Sequence, residues 1–233
     1  MTANAQRISP QPGPDSGAAS RIFGMLRLLA AALVLASIAT QIAEETAHND
    51  FVAQEYFSYF TIQSSLINVV ILALSGLVAL RREQESALLG VLRASVVSYA
   101  VVTAGVYNVL LRGLPDDGYV GSYWPNEVIH VWVPLFLLVD WLLAPSRPML
   151  RKRDVRLVII YPLAWLAFTF VRGALDGWFP YPFLEPNGPD GWGGVAMYVL
   201  GIAGFIVVIA LVLIAISRAR WANADRLWMA LRI

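Results

Sequence analysis

The chain has 233 residues, of which 58% are hydrophobic and 14% are charged, and its formal net charge is +1. Soluble domains carry about 25% charged residues, so this composition excludes an ordinary water-soluble globular protein. Cysteine is absent, which excludes a disulfide framework, a thiol nucleophile and a cysteine metal site.

Residues 1–20 are rich in Pro, Gly, Ser and Ala and show no hydrophobic periodicity, so we predict a disordered cytoplasmic tail. Six apolar stretches follow, each long enough to cross a bilayer as a helix, which takes about 20 residues. They cover approximately residues 22–43, 56–80, 88–111, 124–144, 155–175 and 194–217. The sequence therefore predicts an all-α polytopic membrane protein in which residues 21–217 form a six-transmembrane-helix bundle. Residues 218–233 interleave Trp and Leu with arginines, which predicts an amphipathic helix on the cytoplasmic surface.

The charges between the predicted spans alternate in sign. Basic residues precede span 1 and follow spans 2, 4 and 6, and acidic residues dominate the other three connections. Because cytoplasmic loops carry an excess of Lys and Arg, we expect both termini to be cytoplasmic.

Span 2 begins with "YFTIQSSLINVV" and is unusually polar for a membrane helix. Thr61, Ser64, Ser65 and Asn68 are three, four or seven positions apart and therefore share one helix face. Such residues commonly hold membrane helices together, so packing is one interpretation of the stripe and a functional site is the other.

Spans 3 and 4 carry further polar faces. Tyr107 and Asn108 lie near the end of span 3, and Glu127 and His130 lie one helical turn apart in span 4. An ionisable residue inside a membrane span is costly and is by default a functional candidate. Asp140, near the other end of span 4, is expected to bond a neighbouring helix or a basic loop.

Span 5 ends with Arg172, which could pair with Asp176 one turn later, extend to the surface, or hold a ligand carboxylate. The connection 176–194 is rich in Pro, Gly and aromatic residues. It is expected either to fold back as a cap over the bundle or to form an interfacial aromatic belt.

The polar faces of the spans imply a polar interior, and two of their residues lie at a similar depth. Thr61 and His130 are each roughly 8–9 Å below the start of their helices, at 1.5 Å per residue. Both helices run in the same direction, so we expect these two side chains at one level in the outer leaflet.

The order of "YFTIQSS", "NEVIHVWVPLFLLVDWLL" and "RG" followed by "WFPYPFLE" resembles the androgen-induced protein (ADTRP) family of six-span membrane hydrolases, in its bacterial branch. The resemblance covers about residues 20 to 217. It implies a hydrolase of fatty acid esters of hydroxy fatty acids or similar lipid esters, located in a bacterial cytoplasmic membrane. On the family pattern Thr61 is the nucleophile and His130 is the histidine that acts with it.

In this mechanism Thr61 attacks the ester and His130 takes its proton as general base. Glu127 or Asn108 would orient the imidazole. Asn68, Asn108 and Tyr107 are candidate oxyanion donors, Arg172 would bind a carboxylate at the rim, and Ser64 or Ser65 is an alternative nucleophile. No cofactor, metal or nucleic acid is expected, and the predicted partners are a lipid ester substrate and membrane lipids.

Two other interpretations use the same residues. A polar cavity with one histidine also suits a non-enzymatic lipid- or small-molecule-binding protein or carrier. In the third, the polar faces only pack the helices together.

Overall fold

A computed structural model describes residues 14–114, 118–145 and 147–230, with side chains described for 17–114, 118–145 and 147–219. It contains α1 (Pro14–Ala47), α2 (Ala53–Tyr56), α3 (Phe60–Leu80), α4 (Ala87–Val106), α5 (Tyr123–Glu127), α6 (Val133–Leu143), α7 (Val155–Asp176) and α8 (Gly191–Ala230). Two π-helical turns extend these helices, Tyr107–Leu111 after α4 and Val128–Trp132 between α5 and α6. Two 3-10 turns complete the elements, Lys152–Asp154 before α7 and Pro182–Leu184 before α8.

The predicted all-α bundle of six spans is confirmed. Within the described residues, six helices are long and apolar enough to cross a membrane, which indicates an integral membrane protein. They cover Gly17–Ala47, Phe60–Leu80, Ala87–Leu111, Tyr123–Leu143, Lys152–Asp176 and Gly191–Ala219. The sidedness of the bundle stays a prediction.

Both flanking segments differ from expectation where they are described. Helix α1 begins at Pro14, so residues 14–20 of the predicted tail are helical, and residues 1–13 lie outside the described residues. The backbone of α8 continues to Ala230 without a break. The predicted amphipathic pattern of 218–233 rests on side chains that lie almost entirely outside the described residues.

Helices α1 and α3 form the most extensive helix pair, and they cross at two glycines. A methyl group on Gly24 would lie 2.9 Å from the carbonyl oxygen of Gly76, which is closer than packed atoms allow. Small residues permit such close backbone approach in membranes, where dispersion contacts drive helix association.

Helix α4 lies at the centre of the bundle and contacts α3, α6, α7 and α8. On α4, the Tyr99 hydroxyl supplies a hydrogen bond that the backbone of α7 cannot make within its own helix. Pro162 has no N–H, so the carbonyl of Val158 one turn earlier loses its helical partner. The Tyr99 hydroxyl donates to that carbonyl at 2.6 Å. The Tyr99 hydrogen bond therefore lets α7 carry a proline inside the membrane.

A buried ring of charges joins the helices at one end of the bundle. Arg27 donates to Asp140 at 2.9 Å and to Glu85 at 3.0 Å, and Arg93 bonds the same two carboxylates. All four residues are at most 9% exposed. The two positive and two negative charges cancel, so each charge keeps a partner where water is excluded. The expectation that Asp140 bonds a neighbouring helix is confirmed, and its partners lie on α1 and α4.

At the opposite end, the connection after α7 folds back over the helices. Gly177 ends α7 in the left-handed conformation, with φ of 79°. Tyr181 and Leu184 are then buried against Trp165 of α7. The cap interpretation of residues 176–194 is confirmed.

Candidate functional site

A cavity of about 100 Å³ lies between α3, α4, α7 and α8 under the cap. Four polar side chains line it: Thr61, Thr103, Tyr107 and Tyr181. Its other lining residues are apolar or aromatic: Phe60, Val102, Val106, Leu111, Pro162, Leu163, Trp165, Leu166, Phe183, Leu184, Val199, Ile202, Ala203 and Ile206. The cavity that the sequence predicts as polar is therefore mainly apolar.

The cavity reaches the lipid-facing surface. Leu163 lines the cavity and is 56% exposed on α7. Above it, Tyr181 and Leu184 of the cap exclude water from the top of the bundle. Lateral access from the bilayer together with an apolar lining suits an acyl chain.

The hydroxyl of Thr61 lies on the cavity wall, where its one hydrogen-bond partner in the described structure is the Tyr181 hydroxyl, at 3.5 Å. Burial raises the pKa of Tyr181 to about 12. Tyr181 is therefore a neutral phenol at physiological pH and can donate a hydrogen bond. This arrangement places two hydroxyl groups together at one wall of an apolar cavity.

Tyr107 connects the cavity to His130. The Tyr107 ring lines the cavity and also stacks on the His130 ring, with centroids 3.8 Å apart and planes inclined by 17°. His130 itself is 8% exposed and does not line the cavity. No hydrogen bond joins Thr61 and His130 among the described residues.

The imidazole of His130 is oriented by a backbone group. Its Nδ1 lies 3.0 Å from the carbonyl oxygen of Asn126, which only accepts, so Nδ1 carries the proton. In the neutral ring this leaves Nε2 as the basic nitrogen. The predicted orienting role of Glu127 is corrected here, because its carboxylate accepts from Arg112 at 2.5 Å.

Asn108 supports the helix that carries His130. Pro134 lacks an N–H, so the carbonyl of His130, four residues earlier, loses its helical donor. The Asn108 amide donates to that carbonyl at 3.3 Å and to Ala104 at 2.8 Å, while its oxygen accepts from Arg112. Both amide protons are thus used, which removes Asn108 as an oxyanion donor.

Both rings of the stacked pair lie on π-helical turns. Tyr107 begins one turn, closed by Arg112 N–H donating to its carbonyl at 2.7 Å, and His130 lies within the other, Val128–Trp132. Single π turns are rare and occur often at functional sites.

The remaining predicted substrate-binding residues of span 2 lie elsewhere. Ser64, Ser65 and Asn68 line a separate small pocket on the other side of Thr103. Ser64 also donates to the carbonyl of Thr61 at 3.2 Å. Of the four residues in the predicted stripe, the structure therefore places only Thr61 in the large cavity.

Arg172 is held by protein groups. It donates to Asp176 at 2.9 Å, to the carbonyl of Gln54 at 2.6 Å and to the Ser58 hydroxyl, and it lies over the Trp178 ring. The pairing with Asp176, one of the three predicted options, is confirmed. Arg172 does not line the cavity.

Sequence reasoning missed Tyr181 and Arg112. Tyr181 reaches the site only because the cap folds back, although the "FPYPF" run already indicated a constrained aromatic turn. Arg112 bonds Asn108, Tyr123 and Glu127 and lies 5.1 Å from the Tyr107 ring. Hydrogen bonding to Glu127 raises the pKa of Arg112, which keeps this group charged.

The described residues contain no group of three or more His, Asp or Glu side chains that could hold a metal ion. No protein-family model, no curated protein and no solved structure matches the chain.

Proposed function

We propose that the protein is an intramembrane ester hydrolase that cleaves a lipid ester with Thr61 as nucleophile. The observation that carries the proposal is the Thr61 hydroxyl on the wall of an apolar cavity that reaches the lipid-facing surface. An acyl chain enters beside Leu163 and places its ester carbonyl near Thr61.

The lining favours an uncharged part of the substrate. Among the residues that line the cavity none is charged, and Arg172 is bonded to Asp176 instead. A carboxylate inside this cavity would lose its hydration without gaining a partner. A lipid ester that carries a free carboxylate therefore keeps that group outside the cavity.

The reaction has two halves. In the first, Thr61 Oγ1 bonds to the ester carbon, its proton passes to His130 Nε2, and the alkoxide leaves with that proton. In the second, a water oxygen bonds to the acyl carbon and one water proton passes to His130 Nε2. The bond from the acyl carbon to Thr61 Oγ1 then breaks, and His130 returns the proton to Oγ1, so that Thr61 leaves as a hydroxyl. Tyr181 donates to the carbonyl oxygen as negative charge develops there, because it stays protonated.

Tyr107 has to move for this chemistry. It contacts both His130 and the cavity, and no hydrogen bond connects Thr61 to His130 in the described structure. Rotation of the Tyr107 ring away from His130 would open the imidazole toward the cavity. The proposal therefore requires substrate binding to displace Tyr107.

The test is labelling with an alkyl fluorophosphonate in detergent micelles, followed by site-resolved mass spectrometry. We expect the adduct on Thr61, its loss in Thr61→Ala, and its reduction in His130→Ala. Ser37→Ala is the matched control, since this buried hydroxyl bonds only its own helix, at Leu33. Labelling that persists in Thr61→Ala would refute the assignment.

The second candidate is a protein that binds a lipid in the cavity without turning it over. The absence of a hydrogen bond between Thr61 and His130 in the described residues favours it. A photoreactive alkyl ester would then crosslink to cavity residues such as Ile202, equally in wild type and Thr61→Ala, with no adduct on Thr61 and no released acid.

A further inference from the structure

A second, smaller pocket lies at the centre of the bundle. It has a volume of about 10 Å³ and lies between α1, α3, α4 and the helix of His130. Its lining includes Ser64, Ser65, Asn68 and Thr103, and the remaining residues are Val34, Val96, Ala100, Ile129 and Val133.

Two buried polar atoms of this pocket have no protein partner. The side-chain oxygen of Asn68 and the hydroxyl of Thr103 are each without a hydrogen bond, although the residues are only 4% and 7% exposed. They come from different helices, α3 and α4, and both line the same small volume.

Burying such groups without a hydrogen-bond partner is costly, because they lose their hydration without a replacement. A site suits a water molecule when it offers roughly 10–15 Å³ and two to four polar partners. The pocket offers about 10 Å³ and four polar side chains. Its chemistry is neutral, with hydroxyl and amide groups and no charged residue among the lining, which suits water better than an ion.

We propose that this pocket binds one structural water molecule, which donates to the Asn68 oxygen and exchanges a hydrogen bond with the Thr103 hydroxyl. The water joins α3 to α4.

The position of Thr103 gives this water a second consequence. Thr103 lines both the small pocket and the large cavity. The bound water therefore lies against the cavity that the proposed function assigns to the acyl chain. Resting on that proposed function, we assign this water to the second half of the reaction, where its oxygen bonds to the acyl carbon and Thr61 is released.

X-ray radiolytic footprinting tests the water site, because bound water is converted to hydroxyl radicals that oxidise the side chains beside it. Val96 and Val97 are adjacent on α4 and equally buried, at 2% and 1% exposure, but only Val96 lines the pocket. We expect several-fold more oxidation at Val96 than at Val97. Equal oxidation of the two valines would overturn the proposal.

Thr103→Val removes one partner of the water at constant side-chain shape and should reduce the oxidation of Val96 toward that of Val97. Thr169→Val is the matched control, because Thr169 is a buried threonine with an unpartnered hydroxyl outside the pocket. An unchanged Val96 signal in a folded Thr103→Val variant would also overturn the proposal.

The catalytic role has a separate readout. With a slowly released ester, Thr103→Val should accumulate acyl-Thr61 several-fold above wild type. If wild type forms no acyl-Thr61, the proposed hydrolase function is refuted and so is the catalytic role of the water. The contrast in oxidation between Val96 and Val97 still tests whether the pocket binds water.

Discussion

The rings of Tyr107 and His130 lie face to face, 3.8 Å apart, on two neighbouring π-helical turns. The stack closes one face of the imidazole and presents Tyr107, instead of His130, to the cavity. Access to His130 is therefore set by the position of a neighbouring side chain.

Removing the Tyr107 ring should expose His130. We expect Tyr107→Ala to raise the rate of diethylpyrocarbonate modification of His130 several-fold, and Tyr107→Phe to leave it near the wild-type rate. The exposed His48 is the internal reference, since the chain has two histidines. Peptide mass spectrometry measures both rates, and a His130 rate that is insensitive to Tyr107→Ala contradicts the shielding.

The buried charge ring should be essential for stability. Asp140→Asn leaves two buried arginines facing one carboxylate, and removing one member of a buried pair costs about 3–5 kcal/mol. The free energy of unfolding in mixed micelles, from titration with a denaturing detergent, measures the loss. Asp176→Asn is the control, because that ion pair with Arg172 is exposed and its loss should be much smaller. Similar losses in both variants would contradict the role of the ring.

The α1–α3 crossing should reject even one methyl group. Gly24→Ala forces its Cβ against the carbonyl oxygen of Gly76, and overpacking of this kind costs about 1–3 kcal/mol. Gly201→Ala is the matched control, since nothing lies within 4 Å of an added Cβ there. Thermal unfolding of both variants in the same detergent compares them. Equal melting temperatures of the two variants would show that the α1–α3 crossing accommodates the added methyl group, and would contradict the prediction.

The Tyr99 hydroxyl should contribute more to the free energy of unfolding when Pro162 is present than when Pro162 is replaced. Tyr99→Phe leaves the Val158 carbonyl unpaired in the membrane, at a cost of about 1–3 kcal/mol. In a Pro162→Ala background the alanine N–H supplies the missing helical donor, so the same change should cost less. A double-mutant cycle of unfolding free energies measures the coupling. Additive effects would contradict it.

Stability should fall at high pH partly through Tyr181. Its pKa is about 12 in the folded protein and about 10 when unfolded, because burial disfavours the phenolate. This contribution is complete below pH 10 and is lost as pH rises from about 10 to 12, by at most about 3 kcal/mol. Unfolding free energies measured between pH 9 and 12 should therefore decline less steeply in Tyr181→Phe than in wild type. Parallel declines would contradict the buried phenol.

Part of the site was predictable from helix periodicity. Thr61 and Tyr107 face the bundle interior as predicted, since a membrane bundle turns polar faces away from lipid. Glu127, one of the two candidate groups for orienting the imidazole, bonds Arg112, and the Nδ1 of His130 bonds the carbonyl of Asn126. Residues that are three positions apart share a face of an α-helix, but His130 lies in a π-helical turn, where the angular offset differs.

The six-helix membrane architecture follows from the amino-acid pattern alone, because bilayer thickness sets the length of an apolar run and backbone groups in lipid need hydrogen-bond partners, which a helix supplies. Which polar groups meet depends on how the helices pack. Tyr181 reaches Thr61 through a folded-back cap, and Arg27 finds Asp140 across 113 residues of sequence. These contacts depend on how the helices cross and on where prolines interrupt their hydrogen bonding. They cannot be predicted from the sequence of any one helix.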